Sequence, residues 1–60
     1  MVPLFKYNQK VVDKITRYRG RVTGVCYYFD KKETQYLVEG LDTTGRPIDM
    51  WVEESRLEED

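Results

Sequence analysis

The chain contains no histidine and a single cysteine, Cys26. Without histidine, the side chain that most often moves protons near neutral pH is missing, and acid–base work would fall to carboxylates whose pKa is raised by burial. The adjacent pairs on offer, Glu53 with Glu54 and Glu58 with Glu59, sit in an acidic tail where solvation is the expected state. One cysteine closes no internal disulfide, and a zinc site would have to combine carboxylates with that one thiolate. Cys26 falls in the longest β-prone run, which suits a buried, inert thiol rather than an accessible nucleophile in electropositive surroundings. The four glycines are too widely spaced for a loop that cradles phosphates. There is no basic-then-apolar leader, and no apolar run reaches the roughly 18 residues of a membrane span. The expectation is a cytoplasmic protein without membrane contact, catalysis, cofactor or metal site.

Sixty residues restrict the chain to one domain, with 1–8 as an N-terminal arm and 9–58 as the folded body. A chain this short buries roughly 60% of the surface its unfolded form exposes, near the lower limit for folding without a staple. The fold must therefore rest on aromatic burial and backbone pairing, with a homodimer as one means of support. A formal charge of −1 conceals an asymmetry. Residues 1–32 carry eight basic and two acidic side chains, whereas residues 33–60 carry two basic and nine acidic ones. Such a dipole can steer a partner, or its halves can pair within the fold and leave one basic rim. Internal pairing is the favoured expectation.

No segment repeats apolar residues at helical spacing for long enough to form an amphipathic helix. Gly20, Gly24, Gly40 and Gly45 punctuate stretches rich in Val, Ile, Tyr, Thr and Phe, which predicts strands. These are expected at 10–15, 21–29, 35–40 and 48–52, with a short last strand from Leu57. Gly24 suits a bulge that would flip the alternation from Val25 onward. Residues 30–33 read as a charged hairpin tip. Asp42 to Gly45 read as a turn held by side-chain bonds to the backbone. Pro47 fits the first position of the fourth strand, and Glu53 to Arg56 a single helical or 3₁₀ turn. The expected core is Val11 or Val12, Ile15, Val22, Val25 or Cys26, Tyr36, Val38, Met50, Val52 and Leu57, with Lys10, Asp13 and Lys14 mostly in water. This pattern predicts an all-β fold, a small five-stranded barrel made from one strongly bent antiparallel sheet that curls shut and covers its own apolar face.

The order Lys-Val-Val-Asp-Lys-Ile-Thr at 10–16, then Gly20 with Val22, Thr23 and Gly24, then Tyr36 and Val38, then Trp51 with Glu53, Glu54, Arg56 and Leu57, resembles the small SH3-like barrel proteins of bacteriophages and prophages. The resemblance spans about residues 8–58. It implies a five-stranded, partly open SH3-like barrel, without assigned activity, whose exposed loops bind another macromolecule in the bacterial host cell. The plasmid-borne type II dihydrofolate reductases are a second group of SH3-like barrels. Their pore strand reads Val-Gln-Ile-Tyr where this chain has Ile48, Asp49, Met50 and Trp51, so the glutamine and tyrosine are both replaced and the reductase activity does not carry over.

Eight aromatic side chains exceed what so small a barrel can enclose, so some must face solvent. Alternation sets Ile48, Met50 and Val52 against Asp49, Trp51 and Glu53, which puts Trp51 outside if the aliphatic side is the core. The bland alternative is that Trp51 closes the barrel end. Exposed Tyr and Trp beside Arg and Glu match the composition of interface anchors. Tyr18, Tyr27, Trp51 and Asp49 are therefore the candidate contacts for a host or phage protein. Nucleic acid is the second candidate partner, held by Lys14, Arg17, Arg19 and Arg21, whose cations could meet phosphates while Tyr18 stacks on a base. An acidic pI near 5.4 ranks that reading below protein binding. Met1 to Tyr7 is apolar enough to serve as a docking arm in a homodimer.

Overall fold

Runs of β-branched and aromatic residues between turn formers give five strands in the computed structural model, which describes residues 3–30 and 33–60. They are β1 (Lys10–Asp13), β2 (Arg19–Cys26), β3 (Gln35–Leu41), β4 (Pro47–Glu53) and β5 (Leu57–Glu59), with a 3₁₀ turn at Glu54–Arg56. All pairings are antiparallel, in one sheet of order β4-β3-β2-β1-β5. The register of β2 on β3 shifts between Val22 and Gly24, so Thr23 is the bulged residue, and Val22 and Val25 both lie on the face of Val38 and Tyr36. The turn after β3 follows its sequence. Asp42 Oδ1 accepts from the Thr44 N–H at 2.8 Å and the Arg46 N–H at 2.9 Å, and Gly45 takes the positive φ of +85° that the reversal requires. Among the described residues no helix is long and apolar enough to cross a membrane.

The expected closure of the sheet does not occur, because β4 and β5 form two separate edges. The 3₁₀ turn carries the chain from β4 back across to β1, where β5 is only three residues long, too short to run on to the far edge. Side chains fill the gap instead. Phe5 enters the core of Val11, Val22, Tyr36, Val38, Val52 and Leu57, and Tyr18 packs against it. Phe5 meets Tyr36 edge to face, with centroids 5.2 Å apart and planes at 81°. The Leu4 N–H donates to the Tyr36 hydroxyl at 2.9 Å, which in turn donates to Glu54 at 2.6 Å. The segment expected to dock on a second copy thus sends Phe5 into its own core. Met1 and Val2 of that arm, and Lys31 and Lys32 of the expected hairpin tip, lie outside the described residues.

Several core expectations need correction. Both Val11 and Val12 are buried, but Ile15 is 72% exposed because β1 ends at Asp13 and Ile15 falls in the following turn. Met50 and Val25 are 39% and 43% exposed, the first on an edge strand and the second where the core runs out. Gly20 and Gly40 are not punctuation; they face each other within β2 and β3. A Cβ on Gly40 would collide with the Arg19 carbonyl and lie 3.1 Å from the Tyr18 ring, so the bare backbone lets that ring lie close to β3.

Asp13, expected in water, is fully buried. Its Oδ1 accepts from the Ile15 and Thr16 N–H groups at 2.8 and 3.2 Å, and its Oδ2 from Arg56 Nη2 at 2.6 Å. Its carbonyl accepts from the Arg17 N–H, and its own N–H donates to the Tyr18 carbonyl, which closes the turn with Arg17 at a left-handed φ of 66°. Burial alone would raise the carboxyl's pKa, but the two turn N–H groups and Arg56 outweigh it and hold it below the ordinary aspartate value. A group depressed in this way stabilises the fold fully above its unfolded pKa, and that contribution is lost as pH falls through the folded value. Asp13→Ala is expected to cost about 3 kcal/mol, the low end for a buried pair because Arg56 keeps 35% of its side chain in solvent. Asp13→Asn, which retains an acceptor for the turn, should cost about 1–2 kcal/mol at neutral pH. In urea titrations the gap between Asp13→Asn and the unaltered chain should narrow in acid as the carboxylate protonates. A gap that is constant with pH would show that the charge contributes nothing.

Candidate functional site

The outer face of the sheet is built by alternation along β3 and β4. Tyr36 and Val38 point to the core, so Leu37 and Glu39 point out, and the register sets Trp51 opposite Leu37 and Asp49 opposite Glu39. Trp51 is 49% exposed. Its indole spans Leu37 and reaches β2, where Cη2 would lie 3.7 Å from a Cβ on Gly24. The tighter neighbour of Gly24 is Leu37, whose Cβ would lie 3.3 Å from such an atom. The result is an apolar floor of Trp51, Leu37 and Gly24, bordered by the carboxylates of Asp49, Glu39 and Glu53. Leu37 and Gly24 were not among the site residues expected from sequence. Alternation through Gln35–Leu41 is the signal for Leu37, whereas the position of Gly24 needs the bulge at Thr23.

The remaining expected contacts are distributed. Tyr27 follows β2 directly and is 44% exposed. Tyr18 belongs to the opposite, core-facing side. Its ring lies over Gly40, and its hydroxyl bridges the Val38 and Ile48 carbonyls at 2.8 and 2.7 Å. Burial, with Asp49 and Glu39 nearby, raises its pKa above that of an ordinary tyrosine, although a backbone hydrogen bond at Gly40 opposes the shift. Tyr18 and Trp51 therefore do not share a face. A second, mainly apolar groove of about 530 Å³ lies between the arm and β2, lined in part by Pro3, Phe5, Tyr7 and Val25.

Lys14, Arg17, Arg19 and Arg21 are all exposed. Because β5 pairs with β1 beside β2, acids from the chain's end come within reach of this loop. Arg17 lies 4.0 Å from Glu58 and Arg19 3.9 Å from Asp60. Arg21 donates to the Asn8 carbonyl at 3.2 Å. Exposed pairs at such distances add little stability, but they reduce the local positive potential. Among the described residues no three His, Cys, Asp or Glu side chains cluster as a metal site would require.

Tyr18 braces β3 and β4 from the core-facing side, apart from the outer face that carries Trp51. Tyr18→Phe should lower stability by about 1 kcal/mol in chemical denaturation, since it removes one bridging hydroxyl between two partly buried carbonyls. Its backbone N–H exchange at β3 and β4 should rise with no change in the fluorescence of Trp51 on the other face. A neutral substitution would mean that the hydroxyl does not brace the sheet. No protein-family model, no curated protein and no solved structure matches this chain.

Proposed function

We propose that this chain is a partly open SH3-like barrel of the phage or prophage type that acts as a non-enzymatic binding module in the bacterial cytoplasm. Its partner is a host or phage protein, seated on the outer face of β3 and β4. A four-strand meander, a 3₁₀ turn before the last strand, and the return of that strand to β1 support the barrel reading. The observation that carries the binding reading is Trp51, half exposed above Leu37 and Gly24 on the outer face of the sheet. A large ring fixed in this way can bury area against a partner with little loss of rotamer freedom. The carboxylate border favours a basic rim on that partner and would repel a phosphate backbone. Arg17 and Arg19, the main cations of the nucleic-acid alternative, already lie beside Glu58 and Asp60, which favours the protein reading.

Trp51→Ala should fold, because the side chain lies outside the core, and should weaken capture of the partner by about 30-fold, as expected for an interface anchor worth 2 kcal/mol. The measurement is a quantitative pull-down from bacterial lysate with the unaltered chain and Trp51→Ala side by side, and circular dichroism as the folding check. A folded Trp51→Ala chain that retains the same partner at undiminished affinity would remove Trp51 from the site.

A further inference from the structure

We propose that two copies of this chain pair through the free edges of their β4 strands, antiparallel about a two-fold axis at Met50. This goes beyond the reading above and does not rest on it. The first observation concerns which backbone groups β4 leaves unused. One Tyr18 hydroxyl reaches both the Val38 and Ile48 carbonyls. That is possible only if these carbonyls face each other across the β3–β4 seam, so Ile48, Met50 and Val52 direct their backbone groups to β3. Thr23 agrees, since its hydroxyl donates to the Leu37 carbonyl on the β2 side of β3. The carbonyls of Pro47, Asp49, Trp51 and Glu53, and the N–H groups of the last three, therefore point away from β3. Among the described residues no strand occupies that edge.

The second observation is charge. An added antiparallel strand must set outward residues opposite outward residues. If a second β4 is centred on Asp49, the two Asp49 carboxylates oppose each other. If it is centred on Trp51, Asp49 opposes Glu53. Centred on Met50, Asp49 faces Trp51 of the second copy, Ile48 faces Val52 and Pro47 faces Glu53, so no like charges meet. Asp49 and Trp51 then exchange both backbone bonds on either side of the axis, and each Glu53 N–H meets a Pro47 carbonyl. The missing N–H of Pro47 falls at the end of the ladder, where it costs least. Arg46, one residue beyond, comes beside the acids Glu53 and Glu54 of the second copy. The pairing also covers Met50, which is 39% exposed on the core-facing side of an edge strand. The opposite edge offers no such match, because β5 is short and carries Glu58 and Glu59 next to Asp60.

Sedimentation of the unaltered chain at millimolar concentration should give twice the 7.2 kDa of one chain. Asp49→Pro removes an outward N–H while leaving the bonds to β3 in place, and should sediment as a single chain. Register is read by single cysteines at 49, 50 and 51 in a Cys26→Ser background. On the axis, residue 50 faces its own copy in a non-hydrogen-bonded pair with Cα atoms about 4.5 Å apart, within disulfide reach. Met50→Cys should therefore cross-link at least about tenfold faster than Asp49→Cys or Trp51→Cys. A single-chain mass for the unaltered protein at millimolar concentration, fastest cross-linking at 49 or 51, or a dimer undiminished in folded Asp49→Pro would each overturn the proposal. If Asp49→Pro does not fold, the mass of the unaltered chain and the cysteine comparison decide.

Discussion

One buried carboxylate fixes the last strand, β5, on β1 at one edge of this sheet. Asp13 satisfies the turn that leads from β1 to β2 with Oδ1 and its carbonyl, and receives Arg56 on Oδ2 at 2.6 Å. The Arg56 carbonyl accepts from the Lys14 N–H at 2.7 Å, so the link runs through backbone as well as side chain. A three-residue strand such as β5 has too few ladder bonds to fix its own position. Arg56 immediately precedes it, and the ion pair sets where β5 begins on β1. A charge is tolerated in this position because every oxygen of Asp13 is used; an unpaired carboxylate would cost several kcal/mol.

The same economy explains how an open sheet keeps a buried core. Closure by backbone would need longer strands at both edges. Here aromatic side chains with polar ends replace it. Tyr36 joins the arm at Leu4 to the 3₁₀ turn at Glu54, and its pKa is raised, first by burial and then by the Glu54 carboxylate. Tyr18 joins β3 to β4 from the other end. Each ring supplies apolar area to a core too small to spare any, and each hydroxyl spans elements distant in sequence.

Patterns local to the chain were legible in advance. The four longer strands, the bulge next to Gly24, the Asp42 turn, Pro47 at a strand start and the short turn before Leu57 all follow from alternation and turn chemistry. Where the outcome depends on partners far along the chain, local pattern gives no warning. Asp13 reads as a wet residue because its partner is 43 positions away. Ile15 continues the β-prone run and signals no strand end; the end is set by Asp13 capping its own turn. Gly20 and Gly40 look like loop residues until the register places them opposite each other. On the outer face, the outward direction of Trp51 follows from simple alternation. Its footing on Gly24 does not, since it needs both the β2–β3 bulge and the β3–β4 register. Tyr18 sits in a basic stretch that suggests a surface contact, while its hydroxyl is turned inward.

The charge asymmetry of the sequence acquires a direction once the sheet is assembled. Returning β5 to β1 brings the acidic end of the chain beside the basic loop, so Arg17 and Arg19 lie near Glu58 and Asp60. Toward the other edge, Asp49 and Glu39 stand opposite each other on the outer face, and Arg21 of β2 lies across from Glu39 on its other side. Two like charges paired across strands destabilise a sheet slightly, and the cost is recovered wherever a cation or a polarisable ring approaches from outside. Carboxylates therefore lie around Trp51 and along β4, while the arginine loop has acids of its own beside it. Whatever binds there, whether a foreign protein or another β4, meets an aromatic ring with acids at its border, and the sheet behind it is already braced by Tyr18 from the opposite side.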